Sequence, residues 1–487
     1  MNYLKEIHNQ TILVQSTNQT APHLETELEI IEQLLNNNNK VFWLQCKEDL
    51  DICYYNPQNK KMRCKVCISK VSSGKNIILK NNKNSKNLEI INYSNFVTKK
   101  DYQNLFSNEN FENINVLKNF FYKKYDLGMA AVSSLVSYTR DHIPNLNIYS
   151  NFVKRALTTG AFSYDSSVKI IQKIEPNLVI LFNGRFIENR PLLRAAQHLK
   201  IDYATHEKGG RLHTYLFRKN SIPHAIDAIN SEIEHLWRNA NEDKYKIGKD
   251  FFEKKTKGVE DAWFSFTKEQ KQGLLPKSIY ENKNKKIVTI FNSSLDEYEG
   301  LEGFGPYFYK DDNEGIKQIC QDLKDNKDIK LYLRIHPNLK NLNNSQMQFI
   351  KDEIAKNSSV EIIAPEDVID SYALIKASDI IIVFGSTIGI EAAFLNKKVL
   401  LLGRAAYENL NCCIIPKNHE ETLSIITDSN YPTKPVNTEN AIKYGYWNET
   451  FGINHKLYNP LGFNKGKYRG KYIKANFLWR KLKQIFK

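Results

Sequence analysis

The chain has 487 residues, enough for two to four domains of ordinary size, and 41% of them are apolar, which supports buried cores. It carries 69 Lys and Arg against 54 Asp and Glu, but residues 464–487 alone hold nine basic residues and no acid, so the positive charge is mostly a C-terminal feature and no nucleic-acid partner is expected along the body. No run approaches the ~18 apolar residues of a membrane-spanning helix, and MNYLKEIHNQ lacks the apolar core of a secretion signal, so the expectation is a cytoplasmic protein.

Residues 11–15 read as a strand, 16–23 as a polar loop containing His23, 25–35 as a helix and 41–45 as a second strand, which together start a Rossmann-like unit. No G-x-G-x-x-G follows the first strand, so a dinucleotide site is not expected there. Seven cysteines in a cytoplasmic chain argue against a disulfide framework. Four of them, Cys46, Cys53, Cys64 and Cys67, are spaced so that their thiolates could close on one structural zinc; the other reading makes Cys46 and Cys53 small core residues. No cofactor is expected for catalysis.

Residues 70–100 are rich in Lys and Asn and read as a mobile connection holding one strand at 88–92. Helices are expected at 129–140 and 152–159. A strand at 177–182 then ends in Asn183-Gly184-Arg185, a helix begins near Arg190-Pro191, and the next strand ends in His206-Glu207-Lys208-Gly209-Gly210. These strand ends bring Asn183, Arg185, His206, Glu207 and Lys208 to one edge of a sheet, where α/β proteins place their chemistry. Residues 212–284 read as helical and charged, and the Lys/Asn run at 281–286 reads as a domain boundary.

Strands at 287–291, 331–335, 360–363, 380–384 and 398–402 alternate with helices, so the second half is a doubly wound parallel sheet as well. Its strand ends carry Asn292-Ser293-Ser294, His336-Pro337-Asn338 and Gly385-Ser386-Thr387. The last is a tight turn into a helix, whose backbone N–H groups and hydroxyls suit a phosphate. The expected architecture is α/β with two Rossmann-like domains facing a cleft: 1–280, 285–435, and a crossover helix with a basic amphipathic tail at 436–487.

YLRIHPN at 332–338 and SDIIIVFGSTIGIEA at 378–392 resemble the His-Pro and Ser/Thr motifs of bacterial capsule and lipopolysaccharide glycosyltransferases, including the Kdo-transferase-like capsule family and the bacterial sialyltransferases. FNGRFIENRP at 182–191 and HEKGG at 206–210 are similar to the acceptor-domain strand ends of such proteins. The resemblance implies a GT-B-like transferase moving a sugar from a nucleotide donor, such as CMP-Kdo or CMP-sialic acid, to a polysaccharide or glycolipid acceptor. It gives His336 a hydrogen bond to the nucleotide phosphate, with Pro337 fixing the loop after the strand and Asn338 beside it in the donor site. Gly385, Ser386 and Thr387 would hold the same phosphate, and Glu391 would reach the ribose. By topology alone, from their place after the first strand of the second half, Ser293 and Ser294 with Asn292 and Glu297 would complete the donor pocket.

Glu207 is the expected base toward the acceptor hydroxyl, with His206 the competitor; neighbours on a strand face opposite ways, so one of them reaches the substrate. Asn183, Arg185, Lys208 and Arg190 are expected to contact the acceptor. No D-x-D pair stands at a strand end, so a metal-dependent donor site is not suggested. The tail, with Leu478, Leu482 and Ile485 along one face among basic residues, suits an anionic inner-membrane surface; equally, it suits a crossover helix. Two rival readings remain: a UDP-N-acetylglucosamine 2-epimerase-like enzyme, and a non-catalytic accessory protein of capsule synthesis or export.

Overall fold

The computed structural model describes residues 3–258, 269–356 and 359–475. In chain order its strands are β1 (Thr11–Ser16), β2 (Lys40–Gln45), β3 (Leu88–Asn92), β4 (Leu178–Phe182), β5 (Asp202–Lys208), β6 (Thr214–Lys219) and β7 (Lys286–Phe291). They continue with β8 (Ile329–Arg334), β9 (Val360–Ile363), β10 (Ile380–Val383), β11 (Lys398–Leu401), β12 (Ile453–Asn454), β13 (Tyr458–Gly462) and β14 (Lys465–Tyr468). The chain divides into two compact units. Unit 1 takes the residues up to Thr139, Ile143–Pro223 and those from Gly452 on; unit 2 takes Arg140–His142 and His224–Phe451.

The division at Pro223 corrects the expected boundary near 280. Helices Ile226–Arg238 and Lys244–Thr256 pack on helix Ala441–Thr450 and so belong to unit 2. Gly248 and Gly445 make this packing close: a Cβ on Gly445 would lie 2.3 Å from the Gly248 carbonyl oxygen.

Unit 1 is built on a seven-stranded sheet in the order β12-β6-β5-β4-β1-β2-β3. Strands β1 to β5 are parallel, β6 runs antiparallel on β5, and β12 antiparallel on β6. Ile12, Val14, Trp43 and Ile180 pack with Leu24, Leu28 and Ile31 on one face; Leu13, Leu44, Val179 and Leu181 pack with Ala130, Leu135 and Leu157 on the other. Helices on both faces explain why these strands are unbroken apolar runs. The strand order reverses between β1 and β4, which opens a crevice at their carboxyl ends.

Two stretches of this unit depart from the expectation. Lys61–Asn81 is a 21-residue helix, so Cys64 and Cys67 lie one turn apart on it and the mobile connection is shorter than expected. Residues 214–219, expected as helix, form β6 and extend the sheet.

Unit 2 has a five-stranded parallel sheet in the order β11-β10-β7-β8-β9, with its reversal between β7 and β10. Val288, Ile290, Leu331, Leu333, Ile380 and Ile382 form its buried centre with Ile316 and Ile319. The doubly wound alternation expected for this half is borne out, and the chain is an α/β protein of two Rossmann-like units.

After Ala441–Thr450 the chain returns to unit 1 as β12 and the hairpin β13–β14. Buried carboxylates of helix His23–Asn36 hold this return in place. Glu29 accepts the backbone N–H groups of Lys456 (2.7 Å), Leu457 (3.0 Å) and Tyr458 (3.0 Å), and Glu32 accepts from Tyr468 Oη and from Arg469 Nη2 at 2.6 Å. The amphipathic helix expected from 478 onward lies outside the described residues. Among the described residues no helix is long and apolar enough to cross a membrane.

Candidate functional site

In unit 1 the candidate groups gather where β1, β4 and β5 end. Asn183 follows β4 with a left-handed backbone (φ 53°) and donates from Nδ2 to Glu207 Oε2 at 2.8 Å. The Lys208 N–H donates to Glu207 Oε1 at 3.0 Å, and His23 Nδ1 lies 3.7 Å from the same oxygen. The Glu207 side chain remains 18% exposed, so the carboxylate is oriented by its neighbours and still reachable. His23 packs against the Phe182 ring at 4.4 Å, and burial pushes its pKa down to about 4. Lys208 places its ammonium 4.1 Å over the exposed Phe463 ring; burial lowers its pKa, against the pull of Glu207. Arg185 lies at the same edge, half-buried over Phe186 at 4.5 Å.

His206 is not on this accessible side. It is fully buried, with Nε2 3.5 Å from Glu27 Oε1, and Glu27 also accepts from Ser16 Oγ (2.5 Å) and Asn18 Nδ2 (2.6 Å). Alternation along β5 sends the two side chains to opposite faces, and Glu207 has the open one. The expectation of a catalytic His206 is therefore corrected to a buried polar role. Arg190 is corrected as well. It is buried and bound to Asp126, which also accepts from Arg194 at 2.7 Å; against burial, Arg194 and Arg190 together hold the Asp126 carboxyl well below the usual range. Arg190 is thus committed inside the unit, away from any acceptor.

The four cysteines line one pocket with Ser16, Gln45 and Asn56. Burial pushes the Cys46 and Cys67 thiols up to about 12, and Asn56 Nδ2 lies 3.1 Å from Cys64 Sγ. Among the described residues no group of three or more His, Cys, Asp or Glu is arranged to hold a metal ion.

In unit 2 the loops after β8 and β10 flank the end of β7. The His336 N–H donates to Asn292 Oδ1 (2.7 Å), and His336 Nδ1 accepts the Asn338 N–H (3.1 Å) across the short turn Pro337–Leu339. With Nδ1 an acceptor, the proton of the neutral ring sits on Nε2. Burial pushes the His336 pKa down to about 4, so the ring is a neutral donor at physiological pH. Asn338 Nδ2 donates to Glu297. Ser293 is buried; Ser294 is also buried and donates to Asp296 Oδ1 at 2.5 Å, so it supports Asp296 and does not face a ligand.

After β10, Gly385 has φ 108°, and a Cβ there would lie 2.6 Å from the Arg404 carbonyl oxygen. Ser386 is buried, with its carbonyl accepting from Tyr407 Oη at 2.5 Å, while Thr387 is exposed. Helix Ile388–Phe394 has seven residues, so the turn's N–H groups and hydroxyls, more than a long helix dipole, are what this loop offers an anion. Glu391 does not present itself to a ribose as expected. It is buried and accepts from Lys255 Nζ (2.9 Å) and Tyr372 Oη (2.7 Å). Sequence reasoning also passed over Arg140 and Asp296, which form an ion pair beside His336. Arg140 gave no signal, since it reads as the last residue of an ordinary helix.

The chain is thus an α/β protein of two Rossmann-like units, each with its candidate groups at the carboxyl edge of its sheet. Residues 307–410, which span His336 and Gly385-Ser386-Thr387, match the family described as "Capsule polysaccharide biosynthesis protein". The expected resemblance to that family is borne out for this segment of unit 2. No curated protein matches the chain. Among solved structures, it is similar to Thermosulfurimonas dismutans KpsC, beta Kdo 2,4 transferase, at 13% identity and TM-score 0.35, covering 56% of this chain and 79% of that one. The KpsC beta Kdo 2,7 transferase of the same organism gives 14% identity and TM-score 0.34, over 66% and 90%. The S. aureus MnaA-UDP co-structure gives 12% and 0.31, over 90% and 94%. Scores of this size specify neither substrate nor reaction.

Proposed function

We propose that the protein is a glycosyltransferase of surface-polysaccharide synthesis that takes its sugar from a nucleotide donor bound at the carboxyl edge of the unit 2 sheet. One observation carries this reading: the segment matching the capsule family is the one that bears His336-Pro337-Asn338 and Gly385-Ser386-Thr387, on strands that flank β7. A neutral Nε2–H donor and a turn of backbone N–H groups suit a leaving phosphate, which gains charge as its bond to the anomeric carbon breaks. Glu207 is the base: it takes the proton of the acceptor hydroxyl as that oxygen bonds to the anomeric carbon, and the nucleotide departs with the bonding pair. The acceptor is a polysaccharide or glycolipid, and the work is done at the cytoplasmic face of the membrane.

The test is a panel of CMP-, UDP- and GDP-sugars, with and without capsular or glycolipid acceptors, followed by chromatography of nucleotide and sugar products. Nucleotide release that depends on an acceptor and yields a glycosylated product is expected. Isomerised donor sugar without an acceptor would establish the epimerase reading, and no turnover of any donor would favour the accessory one.

A further inference from the structure

We propose that Arg140 is a phosphate-binding residue of the donor site, a role that rests on the nucleotide-donor reading of unit 2. Arg140 follows helix Leu127–Thr139, yet it belongs to unit 2 as part of the three-residue excursion Arg140–His142. Its backbone is left-handed (φ 56°), a conformation that costs about 1 kcal/mol for a residue with a side chain and needs external support. The support is present. Asn344 Nδ2 donates to the Arg140 carbonyl at 2.6 Å, and the neighbouring Asp141 accepts from the Ser345 N–H (3.2 Å) and Oγ (2.9 Å).

The side chain thereby lands beside the His336 loop. Nε donates to Asp296, and Nη2 reaches the Asn338 carbonyl at 3.4 Å. Asp296 is almost fully buried, whereas the Arg140 side chain is 37% exposed. Nη1 makes no hydrogen bond among the described residues, so one edge of the guanidinium fork is uncommitted.

Charge balance gives that edge a purpose. A nucleotide phosphate is an anion, His336 is neutral, and Asp296 and Glu297 place two carboxylates nearby. Two arginines exert their charge on His336. Arg334 is buried and spends its guanidinium on the carbonyls of Ala364 and Asp367 (3.1 Å for the latter). Arg140 is the one of the pair with an open edge. Asp296 fixes its orientation through Nε and leaves Nη1 and the second N–H of Nη2 to bind phosphate oxygens in the paired geometry that suits arginine.

The experiment compares each nucleotide with its nucleoside, CMP with cytidine and UDP with uridine, on the full chain carrying R140Q or R140K, by calorimetric titration and ligand-observed NMR. R140Q is expected to weaken the bound nucleotide about tenfold or more while leaving its nucleoside within about twofold, with R140K between the two. R140K retains the charge toward Asp296, so it carries the test if R140Q does not fold. Equal losses for nucleotide and nucleoside would make Arg140 a scaffold residue and overturn the assignment, as would unchanged nucleotide affinity. If the unaltered protein binds neither nucleotide nor GDP, the donor-site reading falls, and the Arg140 assignment with it.

Discussion

In the proposed reaction Glu207 and His336 face opposite demands, one to accept a proton and the other to donate a hydrogen bond without changing charge. Glu207 is steadied by Asn183 and by the Lys208 N–H, so E207Q should lower acceptor-dependent nucleotide release by about 10²–10⁴-fold while leaving nucleotide affinity unchanged. N183A, acting through Glu207, should cost less and shift the pH profile of turnover, which steady-state kinetics would show. A loss of nucleotide affinity in E207Q would remove Glu207 from the acceptor side. For His336 the sign is explicit. Its folded pKa of about 4 lies below the ordinary 6.5, so it stays neutral from pH 8 down to about 5, and its stabilising effect is lost as pH falls from 6.5 through 4. Nucleotide affinity measured by titration should therefore show no inflection near 6.5. A severalfold gain between pH 7.5 and 5.5 that disappears in H336N would mean that the ring works as a cation. From sequence, alternation said only that one of His206 and Glu207 reaches the substrate. Pairing across the sheet and Glu27 lying behind His206 leave Glu207 as the accessible one, a long-range fact that no local pattern carries.

At the scale of elements, what was legible depended on burial. Strands of β-branched residues covered on both faces, such as Ile380–Val383, stand out because every position is apolar. Helix Lys61–Asn81 did not, because only Val66, Ser69, Val71, Gly74 and Ile78 of its 21 residues are buried and the remainder is the Lys/Asn-rich composition of a loop. The turn after β10 was legible as a Gly-Ser-Thr signal, and the structure adds why its first residue is glycine. Gly385 combines φ 108° with a carbonyl 2.6 Å from where a Cβ would stand. G385A should cost about 2 kcal/mol in backbone strain, with further loss from displacing the Arg404 segment, and should weaken nucleotide binding more than it lowers the melting temperature. Thermal unfolding with and without CMP or UDP checks both; equal affinity in G385A would free this turn from the donor site. The buried acids of helix His23–Asn36 were the opposite case. A pattern of Glu25, Glu27, Glu29 and Glu32 reads as a solvated helix face, yet all four are buried, and the partners of Glu27, Glu29 and Glu32 come from the end of β1, from β5 and from residues 455–469.

For the whole molecule, the return of the chain after Phe451 ties the integrity of unit 1 to a segment more than 200 residues away from Pro223, where the unit first breaks off. β12 covers the edge strand β6, and the hairpin with its flanking residues Leu457 and Arg469 supplies the backbone N–H groups and the arginine that satisfy Glu29 and Glu32. Against the cost of burial, His455 and these N–H groups hold the Glu29 carboxyl below its ordinary pKa, so it is charged inside the fold. Removing the partners of a buried charge costs about 3–5 kcal/mol, and a domain has only about 5–15 kcal/mol to lose. A chain ending at Phe451 should therefore have unit 1 unfolded or marginal at 37 °C, while unit 2, which keeps β7 to β11, Arg140 and the His336 loop, should still bind the nucleotide that the full chain binds. The smaller change E29A should move in the same direction, lowering the melting of unit 1 by several degrees and exposing residues 452–475 to protease. Hydrogen exchange read by mass spectrometry separates the outcomes. Rapid exchange in β1 to β6 with protection retained in β7 to β11 is the expected pattern for the truncated chain. Native protection throughout unit 1 would show that the hairpin is an appendage, and loss of protection in both units would show that neither holds its structure without residues 452–487.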